Sequence, residues 1–220
     1  QLNWNINFKA IKSIFLFNDD YEILLNYMDR YHGIAFHYIS QPFQFLLNNL
    51  TQNINVVEKL GAIYISRHVP SFLIYCLAGY YFYLICLKLS ENFNFSILCS
   101  VIFLLYPYLF GHSQINGKDI PFLSFWIIAT YYLFTIIEKF YFEKKIFFYE
   151  IVNLAFLTGF LISIRITGIL IFLEYLISII VLINFKKLKF LNFLNKNKSH
   201  LILFLIGCLI TVYILSLIHI

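Results

Sequence analysis

Seven side chains in this sequence have the types and neighbours to do chemistry: Asp19 and Asp20 in FNDDYE, His112, Lys118 and Asp119 in FGHSQINGKDIPF, Arg165 in FLISIRITGILIF, and Glu174 in IFLEYLIS. Adjacent carboxylates such as Asp19 and Asp20 can take a proton from an incoming hydroxyl or hold a divalent metal, because helix N–H groups can fix one while the other points outward. They can equally cap the helix that follows. Lys118 and His112 either hold an anionic head group or anchor a helix end by snorkelling. Asp119 directly precedes IPFLSFW, where it caps a helix with Pro121 in the first turn, contributes a carboxylate to a site, or does both.

Arg165 is the costliest of the seven, since a charged side chain at membrane depth costs about 2.5–3.5 kcal/mol on insertion scales. Either the chain turns at RITG and the guanidinium reaches water, or it faces a cavity and pairs with a phosphate or a carboxylate. Gly168 permits the close approach that such a turn needs. Glu174, about 13 Å farther along if the segment is helical, is open to protonation, to pairing with another helix, or to lining a pathway.

These groups need a scaffold, and the composition says which kind. With 61% hydrophobic residues, 20% aromatics and 12% charged residues in 220, the chain cannot hide its apolar groups in one water-soluble core. Runs of roughly 17–25 apolar residues, long enough to cross about 30 Å of hydrocarbon as helix, recur along it. Lipid leaves unpaired backbone groups without partners, so the expected fold is an all-α, polytopic transmembrane helical bundle. The alternation over about ten residues that marks a membrane β-barrel is absent.

Residues 1–69 are of mixed polarity and hold Asp19, Asp20, Glu22, Asp29 and Glu58, so they read as an extracytoplasmic segment with amphipathic or interfacial helices. One is expected in NDDYEILLNYMDRYHG and another in YISQPFQFLLNNL, with Pro42 near its entry. Residues 70–220 read as the transmembrane helical domain, with spans near 71–89, 94–111, 121–138, 147–163, 166–185 and 201–220. Lysines concentrate in the connectors near 90, 139–146 and 186–200, while 112–120 and the turn near 164 are sparsely basic. The lysine-rich set should therefore face the cytoplasm, which places residues 1–69, the His112–Asp119 loop and Arg165 together on the other side. Glu150, near the lysine-rich face, is expected to be interfacial. The formal charge of +5 fits this topology better than nucleic acid, because the lysines do not line a solvated face.

Cys76, Cys86, Cys99 and Cys208 lie in apolar stretches without CxxC spacing and read as buried small hydrophobes. The P-loop, HExxH, GxSxG and glycine-rich dinucleotide patterns are all missing. Because the chain opens at Gln1 and closes at Ile220 inside an apolar run, it is expected to be a fragment of a longer protein.

Taken together, the acidic pair, RHVPSFLIYCLAGYYFYLICLKL, LLYPYLFGHSQINGKDIPFLSFWIIATYYLF and GFLISIRITGILIFL resemble the membrane core of the GT-C glycosyltransferases. The resemblance is to the family 39 group, which includes protein O-mannosyltransferases and aminoarabinose transferases, and it covers about residues 15–185. Its most specific element is GHSQINGKDIPF, which looks like the pattern GHS.iNpKDiPF of bacterial family 39-like proteins. The resemblance implies transfer of a sugar, with inversion, from a polyprenyl-phosphate donor to an acceptor hydroxyl on the extracytoplasmic face of a bacterial inner membrane. It implies Asp19 or Asp20 as the base, with a divalent metal cation as a candidate cofactor, Lys118 and Arg165 on the lipid phosphate, and His112 or Asp119 shaping the pocket. The family usually has Asp-Glu where this chain has Asp19-Asp20 followed by Tyr21 and Glu22, which leaves open which carboxylate corresponds to the base. The family core also has more spans. The competing reading is a transporter or flippase of a lipid-linked or small anionic substrate, with Arg165 and Glu174 lining a pathway.

Overall fold

The computed structural model describes residues 35–50, 56–187 and 190–216. The elements are α1 (Ala35–Leu50), α2 (Val56–Ser90), α3 (Phe93–Leu105), α4 (Pro107–Ile115), α5 (Asp119–Tyr141), α6 (Phe148–Ile164), a 3-10 turn (Ile166–Leu170), α7 (Ile171–Lys186), α8 (Phe190–Lys196) and α9 (Lys198–Ser216). No strand occurs among the described residues, and the architecture is the all-α bundle expected from the apolar runs. Asp19, Asp20 and the stretch read as a first amphipathic helix lie outside the described residues.

Four stretches are long and apolar enough to cross a bilayer: His68–Ser90, Asp119–Tyr141, Ile166–Lys186 and Lys198–Leu215. The bent pair α3–α4 makes a fifth. The remaining segment read from sequence as a span, α6, is a shorter apolar helix of 17 residues, about 25 Å long. Leu73, Leu77, Ile102, Leu173, Ile177, Leu205 and Leu209 point outward and are exposed, a surface that lipid covers and water would not. The chain is an integral, multi-pass membrane protein.

α2 continues from Val56 through Pro70 to Ser90, so the boundary drawn at residue 69 from polarity falls inside one helix. α1 is helical through Pro42, which lies well within it rather than at its entry. Its first residues, Ala35 and Phe36, are buried against Phe160 and Ile164 of α6.

The break between α3 and α4 has a local cause. Pro107 has no N–H and its ring clashes with the carbonyl one turn back, so the helix bends by 55° and the Phe103 carbonyl loses its regular partner. Tyr75 of α2 restores the bonding, its hydroxyl donating to the carbonyls of Phe103 at 2.7 Å and Leu104 at 3.1 Å.

α6 and α9 cross at close range through small residues. A Cβ added to Gly159 would come within 2.6 Å of Thr211, and one added to Gly207 within 2.8 Å of Ala155. Such contacts let backbones approach in lipid, where dispersion rather than water exclusion holds helices together. Cys208 is buried here, its Sγ 3.4 Å from the Ala155 carbonyl, as expected of a small apolar filler. Cys76, by contrast, is exposed on the outer surface, and Cys86 and Cys99 are half-buried; all four are free thiols.

The helices sort their charges into two ends. At one, Lys88 bonds Glu138, Lys139 bonds Glu150 and Lys186 bonds Glu143, each joining different elements or connectors. Lys88, Lys139 and Lys186 all lie in the last turns of their helices, where a cation is favoured by the helix dipole. At the other end, α5 begins at Asp119 and α6 finishes at Ile164, so the His112–Asp119 segment and Arg165 meet there.

Candidate functional site

The site is built on a turn and a helix start. Asn116 ends α4, and its side-chain Oδ1 accepts the N–H groups of Lys118 at 3.1 Å and Asp119 at 2.9 Å. Those are among the first N–H groups of α5, which have no partner inside the helix. Asn116 therefore performs the capping that was one of the readings open for Asp119. Its Nδ2 also donates to Asp119 Oδ2 at 2.9 Å. Ser71 of α2 donates to the Asn116 carbonyl at 3.3 Å, fixing the turn to the bundle.

With the helix start bonded by Asn116, the Asp119 carboxylate is free to point across the bundle. Its Oδ1 accepts from Arg165 Nη1. Arg165 stands just past α6 in extended backbone, φ −147° and ψ 135°, and the chain then folds back in the 3-10 turn. That reversal needs Gly168, whose N–H bonds the Arg165 carbonyl at 2.8 Å and whose added Cβ would meet the Leu161 backbone at 2.9 Å. Of the readings open for Arg165, the turn and the pairing with a carboxylate occur together. The chain turns at RITG, and the guanidinium meets a carboxylate.

The pair is open to its surroundings, with the Arg165 side chain 47% and the Asp119 side chain 55% exposed. A guanidinium has five N–H donors, so one bond to Asp119 leaves others to meet an anion. Lys118 is exposed beside them and forms no side-chain ion pair or hydrogen bond among the described residues. His112 is half-buried in the last turn of α4, its ring 4.3 Å from that of Tyr108, and it does not bond to the Arg165–Asp119 pair.

The start of α1 comes to the same place. Phe36 packs near Gly117, whose added Cβ would lie 3.6 Å from its ring, and near Ile164, the residue before Arg165. The start of α1, 15 residues after Asp20 in the sequence, therefore lies beside this turn. Tyr38, two residues on, has the pKa of its hydroxyl pushed up to about 12 by burial and stays a neutral donor.

A second polar link lies deeper. Trp126 Nε1 donates to Glu174 Oε2 at 2.7 Å, while Glu174 Oε1 is buried without a hydrogen-bond partner. Asp119, Phe122 and Trp126 recur at helical spacing on one face of α5, so the same face reaches Arg165 at its start and Glu174 two turns later. Of the readings open for Glu174, pairing with another helix is the one found. Glu150 lies in the first turn of α6 at the lysine-rich end and is buried there, bonded to Lys139 at 2.5 Å and accepting the Phe147 N–H at 2.9 Å.

Asn116, Ser71 and Trp126 are the residues that sequence reading missed. The Asn116-Gly117-Lys118-Asp119 run carries a signal for the first, since an Asn ahead of a helix start bonds the N–H groups that follow it. No family model, curated protein or solved structure matches the chain.

Proposed function

We propose that the chain is the membrane core of a glycosyltransferase, moving a sugar from a polyprenyl-phosphate donor to an acceptor hydroxyl on the extracytoplasmic face of a bacterial inner membrane. The observation that carries this reading is the exposed mouth at which Arg165, Asp119, Lys118 and the start of α1 meet, at the bundle end opposite the lysine cluster. A lipid-linked phosphate presents its charge at the membrane edge, where fixed cations stabilise it most as it departs. Arg165 and Lys118 supply those cations. Asp119 holds the guanidinium in place, and Asn116 holds Asp119.

In the reaction, the acceptor oxygen attacks the anomeric carbon, the bond from that carbon to the phosphate oxygen breaks, and the hydroxyl proton passes to a carboxylate. That carboxylate is Asp19 or Asp20 in this proposal, both outside the described residues. The resemblance also implies a divalent cation. Among the described residues no three His, Cys, Asp or Glu side chains gather as ligands.

Transport of a lipid-linked or small anionic substrate is the competing reading, and the bent α3–α4 pair with the half-bonded Glu174 favours it. It calls for a matching interruption elsewhere, and one such bent pair occurs among the described residues. The protein in nanodiscs, incubated with polyprenyl-phosphate sugars and acceptor candidates, should release polyprenyl phosphate. Arg165→Ala should slow that release by about 10²–10³-fold, as loss of one donor to a developing negative charge does. Unchanged release in the Asp19→Asn, Asp20→Asn double variant would remove the base assignment. Movement of the intact donor across vesicles without release would favour transport.

A further inference from the structure

The lysine-rich end contains a second site, unconnected to the proposed transfer. A cavity of about 500 Å³ opens between the α5–α6 connector, the end of α7 and the α8–α9 region. Lys139, Lys144, Lys145, Lys186 and His200 line it, with Glu143 as the lining carboxylate. Four ammonium groups thus face one acid. Lys139 and Lys186 already bond Glu150 and Glu143, and Glu138, which Lys88 bonds, also draws on Lys144, so the excess comes in part from Lys144 and otherwise from Lys145. Those two lie over the Phe142 and Phe147 rings, at 5.1 and 5.9 Å, contacts that orient a cation without neutralising it.

A groove of about 320 Å³ adjoins this cavity and shares Phe140, Phe193, Asn197 and His200 with it. Its remaining walls are aliphatic and aromatic, among them Leu133, Ile137, Leu154, Leu176 and Leu205. Leu176 and Leu205 are about half exposed on the lipid-facing surface, so a chain lying in the bilayer can enter from the side. A cationic chamber continuous with an apolar slot matches an amphiphile with an anionic head and a hydrocarbon tail. A free phosphate would use only the first half of that surface.

We infer that this site binds an anionic phospholipid, its phosphate among Lys144, Lys145 and Lys186 and one acyl chain along the groove between α5, α7 and α9. The lysine bias puts this end at the cytoplasmic leaflet, where basic pockets between membrane helices take up anionic head groups. Both volumes fall within the roughly 300–1,000 Å³ of ordinary ligand sites.

The test uses the full chain, stripped of lipid in neutral detergent and titrated with dioleoylphosphatidylglycerol or dioleoylphosphatidylcholine, with bound lipid counted by native mass spectrometry. Phosphatidylglycerol should bind on the order of tenfold more tightly than phosphatidylcholine, and Lys144→Gln with Lys145→Gln should abolish that preference while leaving phosphatidylcholine unchanged. Glycerol 1-phosphate at millimolar concentration should not displace the lipid. Both lysines are exposed, so the double variant should keep the parent's thermal midpoint. Leu176→Trp, filling the groove, should weaken both lipids. Equal binding of the two lipids, a preference that survives the double lysine change, or displacement by glycerol phosphate would each overturn the inference, whether or not Leu176→Trp folds.

Discussion

The two ends of the bundle each carry an ion pair that bridges helices, yet the pairs sit in opposite surroundings. Lys139–Glu150 is nearly enclosed, its side chains 19% and 9% exposed, and Glu150 also accepts a backbone N–H at the start of α6. Arg165–Asp119 is about half exposed at a mouth that Asn116 organises from within the turn. Enclosure decides what a pair can do. Charges removed from water must stay paired or the fold loses stability, whereas charges left at an opening contribute little to stability and remain available to a third partner.

The sharpest way to break this comparison is to cut each pair in turn and follow reversible unfolding in mixed micelles. Glu150→Ala strands the Lys139 ammonium and the Phe147 N–H, and should cost about 3 kcal/mol. A loss under about 1 kcal/mol would mean that the lysine-rich end is wetter than its packing suggests. Gly159→Leu, at the α6–α9 crossing between the two ends, should cost about 1–3 kcal/mol by overpacking against Thr211. Tyr75→Phe removes the donor to the carbonyls freed at Pro107 and should cost about 1 kcal/mol, loosening the approach of α4 to the mouth. Asp119→Asn should cost no more than about 1 kcal/mol, because its partner keeps access to water. A loss for Asp119→Asn as large as that for Glu150→Ala would erase the distinction between the ends.

Much of this arrangement was legible in the sequence, because lipid imposes a composition. Long apolar runs announce helices, and the spacing of the lysines marks one end of the bundle apart from the other. The cost of placing Arg165 in an apolar stretch also required a partner, but a carboxylate 46 residues away is chosen by packing that no local pattern encodes. Polarity drew the edge of the membrane domain at residue 69, beside the start of the apolar span at His68, but it carried no sign that one helix runs from Val56 across that edge and through Pro70. Pro107 was visible as a residue, but its effect depends on whether a neighbour such as Tyr75 restores the lost bonding. The groove behind the lysines had no sequence signature, because its walls come from helices distant in the chain and use the same residues as any lipid-facing surface.

Separation of the two ends by the membrane underlies both the proposed transfer site and the lipid site, and labelling tests it most directly. In a background lacking Cys76, Cys86, Cys99 and Cys208, single cysteines at Ile115 and Lys145, both exposed, are challenged with a membrane-impermeant maleimide on intact cells. Ile115→Cys should react at once and Lys145→Cys only after permeabilisation. Reaction of both from one side, or the reverse order, would contradict the account.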